Sequence, residues 1–133
     1  MPTLDIYLVE DSPVIRENLI ATLEELGPMR VVGTAETEAD ALAWLTQAKV
    51  KVDLVVVDIF LRNGSGLGVL RGAQTLPLKA RRVVLSNFAT ADMRRHCLQL
   101  GAERVFDKSH EIDDFIDYCS SLAAEHGRST APS

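Results

Sequence analysis

Residues 52–59 read Val-Asp-Leu-Val-Val-Val-Asp-Ile, and this stretch limits the possible folds more than any other. A strand with one wet face alternates apolar and polar residues. Four consecutive aliphatics, Leu54 to Val57, read instead as a strand covered on both faces, which is the pattern of a central strand in a parallel sheet. Parallel neighbours need long crossover connections, usually helices. The rest of the chain should therefore alternate strand and helix.

It does. Residues 4–9 form an apolar run ending in Glu10-Asp11, followed by Ser12 as a helix N-cap and Pro13 at the first helical position. Ile15, Leu19, Leu23 and Leu26 then recur at helical spacing until Gly27-Pro28. Met29–Ala35 is a second strand, and Thr37 caps a helix with Ala41, Leu42, Leu45 and Ala48 on one face. After the 52–59 strand, the glycine-rich turn Arg62–Gly66 leads into a short helix carrying Leu67, Val69, Leu70 and Ala73. Arg81–Ser86 is a fourth strand, Thr90-Ala91-Asp92 opens a helix ended by Gly101, and Arg104–Asp107 is a fifth strand. Ile112, Phe115, Ile116, Cys119, Leu122 and Ala123 make one apolar stripe on a last helix. Residues 1–125 are thus expected to form one domain, with 126–133 a polar, frayed tail and no output domain.

Five strands alternating with five helices imply right-handed crossovers and a doubly wound α/β fold, a parallel sheet between two helical layers. In such folds the site lies beyond the carboxyl ends of the strands. The composition narrows the choice of chemistry. A formal charge of −5 argues against direct nucleic-acid binding, and no apolar run approaches the roughly 20 residues of a membrane span. The start lacks the basic and apolar regions of a secretory signal, so a cytoplasmic protein is expected. Cys97 and Cys119 form no metal or redox motif and read as reduced packing residues.

The polar residues at the carboxyl ends are Glu10 and Asp11 after the first strand, Asp58 at the end of the third, Ser86 after the fourth and Lys108 after the fifth. Three crowded carboxylates need protons or a cation, and hard oxygen ligands suit Mg²⁺. A lysine and a hydroxyl on the same rim are what phosphoryl oxygens require, and a carboxylate can serve as a nucleophile in covalent phosphorylation. Other polar features have plainer readings. Asp53 sits at the opposite rim as a solvated strand start, and alternation should turn Asp107 away from Lys108. Gly64, Gly66 and Gly68 fit neither the dinucleotide fingerprint nor the P-loop and read as turn residues. His96, His110 and His126 lack ligand spacing, and Trp44 reads as packing. Arg94-Arg95 reads as a solvated helix face or a partner patch.

Taken together, over about residues 4–124, the acidic pair, Asp58 with Gly66 eight positions later, Ser86 and Lys108 resemble the receiver domain of bacterial response regulators. The resemblance implies a flavodoxin-like fold with strand order 2-1-3-4-5. It implies that Asp58 is the phosphoacceptor, taking its phosphoryl group from a histidine kinase or a histidine phosphotransfer protein. Mg²⁺ would be held by Asp11, Asp58 and the Phe60 backbone carbonyl, with Glu10 acting through water. Ser86 would move toward the phosphoryl oxygens and Lys108 would pair with them. Such a protein signals by binding a downstream protein target, as a monomer or weak dimer through its last two helices and fifth strand. It is a phosphoacceptor with intrinsic dephosphorylation rather than an enzyme. The alternatives are a binding module indifferent to phosphate and, with less support, an aspartate-nucleophile phosphatase, which would be expected to carry Asp-x-Asp where this chain has Asp58-Ile59-Phe60.

The chain departs from the family pattern at four places. Val105 stands where an aromatic residue is usual, three positions before the lysine, and Phe106 should face the other side of the strand. Ser109 replaces a usual cis-proline, so a trans bond is expected after Lys108. Arg62 stands near a usual proline, and Asn87 replaces a usual alanine or glycine beside the site. The usual aromatic switch should therefore be absent, or replaced by movement of the loop at Asn87-Phe88.

Overall fold

A computed structural model of the chain describes residues 3–47, 51–87 and 89–129. The element order is β1 (Leu4–Val9), α1 (Pro13–Leu26), β2 (Met29–Ala35), α2 (Glu38–Gln47), β3 (Leu54–Val57), α3 (Gly66–Gln74), β4 (Arg81–Ser86), α4 (Ala91–Gln99), β5 (Arg104–Asp107) and α5 (Ile112–Ser129). The strands form one sheet in the order β2-β1-β3-β4-β5, with every pairing parallel. The doubly wound α/β architecture expected from the sequence is therefore present.

Side chains alternate across the sheet and divide the core in two. Tyr7, Val9, Val55, Val57, Val84 and Val105 face α2, α3 and α4, packing with Ala41, Leu45, Val69, Leu70 and Cys97. Ile6, Leu8, Leu54, Val56, Val83, Leu85 and Phe106 face α1 and α5, packing with Leu19, Leu23, Phe115, Cys119 and Leu122. This division explains the unbroken aliphatic run of β3, since all four of its residues are buried. Each such side chain removed from water contributes about 1.5–3 kcal/mol before the entropy of ordering the chain is counted. Trp44 stacks on Tyr7 with ring centroids 4.0 Å apart, and both cysteines are free and buried, as their packing readings require.

The helix starts follow their sequence signals. Ser12, Ser65 and Thr90 accept amide hydrogen bonds as N-caps of α1, α3 and α4, and Thr37 Oγ1 accepts from the Asp40 amide at the start of α2. Gly101 closes the α4 turn at φ +100°, a conformation that side chains other than glycine disfavour.

Two boundaries differ from the sequence reading. β3 is paired only over 54–57, because Ile6–Val9 of β1 and Arg81–Val84 of β4 pair with those residues alone. Val52 and Ile59 are buried beyond the ladder, so apolarity there marks packing rather than strand pairing. Helix α5 continues through Ser129, so the polar segment set apart from residue 126 is helical for four residues. Ala48, Phe88 and residues 130–133 lie outside the described residues.

Candidate functional site

The parallel register assembles the rim. Val9 pairs with Val57, Val57 with Val84, and Ser86 with Asp107, so the carboxyl ends of four strands finish at nearly one level. The ladder then extends by single bonds. Asp58 N donates to Val9 O at 2.9 Å, Glu10 N to Ala35 O at 2.9 Å and Lys108 N to Ser86 O at 3.0 Å. These bonds fix the backbones of Glu10, Asp58 and Lys108 just beyond the sheet, where their side chains can meet.

They do meet. The Lys108 ammonium bonds both Glu10 Oε1 and Asp58 Oδ2, the latter at 2.9 Å. Ser86 Oγ donates to Asp58 Oδ1 at 2.9 Å, and the Phe60 amide donates to the same oxygen at 3.1 Å. Glu10 Oε2 accepts from the Ser12 amide at 3.1 Å. Glu10, Asp11 and Asp58 each offer a carboxylate oxygen within 4.8 Å of the others. Glu10 and Asp58 are buried, whereas Asp11 is part-exposed at the mouth.

Burial pushes the Glu10 carboxyl above its ordinary range, and the bonds from Lys108 and Ser12 only partly offset it. Burial alone would pull the Lys108 ammonium down, but its bond to Glu10 and the charge of Asp58 outweigh this and hold it above the usual lysine value. Lys108 therefore stays charged. Three carboxylates against one ammonium leave two formal negative charges, so the donor set fits a small divalent cation with oxygen ligands.

The loop after β3 is built to fit beneath this cluster. A Cβ at Gly66 would lie 2.2 Å from the Asp58 carbonyl oxygen and 2.7 Å from Ile59 Cα, so the glycine admits the close return of the chain. Gly64 has φ +80°, and Glu38 Oε1 accepts from the Ser65 amide at 2.9 Å. Arg16 donates to the Glu10 carbonyl and to Glu36, which also pairs with Arg62. Helices α1 and α2 thus brace the loop that follows Asp58.

All five rim side chains named from the sequence are brought together, and the Phe60 backbone reaches the site through its amide. Val105 and Phe106 face opposite sides of the sheet, and no cis peptide occurs among the described residues. Two plainer readings need correction, those of Asp53 and Arg94. Asp53 does lie at the opposite rim but is not simply solvated, since its Oδ2 accepts from the Asp5 amide at 2.9 Å. Asp107, set outside the site by the alternation, is buried and accepts from Ala89 N at 3.0 Å and Ser109 N at 2.7 Å. Arg94 is not simply a solvated arginine. It donates to Ala89 O, Val105 O and Glu111 Oε1, whereas its neighbour Arg95 is exposed and pairs with Asp92. The Ala89 and Ser109 amide bonds hold the Asp107 carboxyl below its usual range, and the Arg94 bond does the same for Glu111. A cavity at the other end of the sheet, bordered by Val52, Asp53, Pro77 and Leu122, includes none of the rim residues.

Comparison with known proteins places the chain in one family. A family model described as the response regulator receiver domain matches residues 6–120. The regulator BvgA of Bordetella pertussis is 28% identical over 119 residues, covering 90% of this chain and 56% of its own. A protein-glutamate methylesterase/protein-glutamine glutaminase of Clostridium acetobutylicum is 28% identical over 87% of this chain and 36% of its own. The chain thus spans about half or less of the length of these relatives. Among solved structures, a two-component response regulator of the LuxR family from Aurantimonas sp. SI85-9A1 superposes with a TM-score of 0.82 at 22% identity, covering 93% of this chain and 87% of that one. With the family match running through all five strands and the carboxylate cluster at their ends, this chain belongs to the response regulator receiver domains of two-component signalling.

Proposed function

We propose that Asp58 accepts a phosphoryl group from a phosphohistidine, with Mg²⁺ bound, and that this event switches contacts with a downstream protein. The observation that carries the reading is the shared hold on Asp58, a buried carboxylate bonded by Ser86, Lys108 and the Phe60 amide within a three-carboxylate cluster. A structural aspartate would need a partner for its charge. It would not need two further acids beside it.

In the transfer, a carboxylate oxygen of Asp58 attacks phosphorus, the P–N bond to the donor imidazole breaks, and the nitrogen departs with the electron pair. The product is an acyl phosphate. Asp11, Asp58 and the Phe60 carbonyl would hold the cation, with Glu10 at longer range. The cation supplies charge neutralisation for the incoming phosphoryl oxygens. Lys108 and Ser86 already stand at the two Asp58 oxygens and supply an ammonium and a hydroxyl to the same group. Later attack by water on phosphorus would break the P–O bond, restore the carboxylate and release inorganic phosphate, so the chain acts as a self-resetting acceptor and not as an enzyme on another substrate.

The donor is a histidine kinase or histidine phosphotransfer protein. Exposed Val14 and Phe60 flank the rim in sequence and offer apolar contacts to it. No described helix is long and apolar enough to cross a membrane, and a cytoplasmic setting fits a partner of this kind. Incubation with a small acyl-phosphate donor should give a single phosphoryl adduct by intact mass, dependent on Mg²⁺ and absent from Asp58→Asn. An unmodified wild-type chain would favour a binding module indifferent to phosphate.

A further inference from the structure

We infer that Arg94 is a positioning residue, a latch that holds Ala89 in its unphosphorylated arrangement and thereby sets how readily Asp58 takes phosphate. The inference rests on the proposed phosphoryl chemistry at Asp58 and adds a device for reading it out.

Arg94 closes a ring of hydrogen bonds across three elements. Its Nε donates to Ala89 O at 3.0 Å, its Nη1 to Val105 O at 2.9 Å and its Nη2 to Glu111 Oε1 at 2.6 Å. Glu111 Oε1 also accepts from the Asp107 amide at 2.9 Å, and Asp107 Oδ2 accepts from Ala89 N at 3.0 Å. Ala89 is thus fixed at both its amide and its carbonyl. One end of the ring is tied to α5 through Phe115 N, which donates to Glu111 O.

The ring also abuts the acceptor site on two sides. Ser86, which donates to Asp58 Oδ1, lies three residues before Ala89, and Lys108, which donates to Asp58 Oδ2, directly follows Asp107. Ser86 and Lys108 are joined by the bond from Lys108 N to Ser86 O. When Asp58 becomes an acyl phosphate, the negative charge moves from the carboxylate to phosphoryl oxygens one bond farther out. The best acceptors for the Ser86 hydroxyl and the Lys108 ammonium move with it. A Ser86 that follows its acceptor pulls on a chain anchored three residues later by Arg94 and Asp107. Bonds made only in the unphosphorylated arrangement oppose phosphoryl binding, and removing them must tighten it by the same factor. No aromatic side chain is available at Val105 to carry the coupling, so the polar ring carries it.

The test is the affinity of the protein for beryllium fluoride with Mg²⁺, a phosphoryl mimic, measured by calorimetric titration. Arg94→Ala and Glu111→Gln should each tighten binding by about fivefold or more, Arg94→Lys should tighten it less, and affinity for Mg²⁺ alone should not change. In the wild-type chain, amide hydrogen exchange at Ala89 and Asp107 should quicken when the mimic binds. A ring that is merely a structural staple predicts equal or weaker binding in the variants and unchanged exchange at those amides, and either result overturns the latch. A wild-type chain that does not bind the mimic would instead overturn the Asp58 reading itself. The exchange measurement needs no variant, so a poorly folded substitution does not decide the outcome.

Discussion

Asp58 is held by three donors, and each can be traced to a strand end: Ser86 closes β4, Lys108 follows β5, and the Phe60 amide belongs to the turn out of β3. These residues were legible in the sequence because a charged or hydroxyl residue directly after a buried strand has one place to go, the shared rim. Gly66 was legible as a turn residue and by its spacing from Asp58, but not by its contacts. Its specific demand, clearance of the Asp58 carbonyl, depends on the return of the chain that the Gly66 N to Ile59 O bond fixes at 2.9 Å. A Gly66→Ala substitution should therefore destabilise the protein by about 1–3 kcal/mol, because the obstructing atoms are backbone and cannot swing aside. Urea unfolding would show the loss as a lower midpoint with unchanged slope. A midpoint equal to wild type would mean that the loop relaxes freely.

At the scale of elements, β1, α1, β2 and β4 fall where the sequence places them, while β3 is shorter and α5 longer. Hydrophobic pattern reports burial, and burial extends past the ladder at Val52 and Ile59. The junction of α4, β5 and α5 was the least legible part. Arg94, Asp107 and Glu111 satisfy mainly backbone groups on other elements, and a helical arginine or a strand-end aspartate gives no local sign of such partners. Asp107 and Glu111 both have carboxyls held below their ordinary range in the fold. The unfolded chain therefore binds protons more readily, and their contribution is present above the ordinary carboxylate pKa and lost as pH falls through the folded value. The stability difference between wild type and Asp107→Asn should be largest near neutral pH and shrink below about pH 4. Thermal unfolding across that range checks it, and a difference independent of pH would show that the carboxylate charge contributes nothing.

In the whole molecule, the two halves of the core clamp the sheet from both faces and set the strand ends level, so the carboxylate rim is a product of the complete fold. Its members are spread from Glu10 to Lys108, and no short segment contains more than two of them. The fold class and the rim could be read together because they follow from the same alternation of strand and helix. The hydrogen-bond ring around Arg94 could not, because it depends on how α4 and α5 seat against β5. Selectivity for one carboxylate is the sharpest consequence of this assembly, since the chain has 19 aspartates and glutamates. After treatment with a small acyl-phosphate donor and Mg²⁺, borohydride reduction converts an aspartyl phosphate to homoserine, which peptide mass spectrometry can locate. The folded protein should carry homoserine at position 58 alone, and the urea-unfolded chain should carry none. Label at other carboxylates, or equal labelling of the unfolded chain, would contradict an acceptor site built by the fold around Asp58.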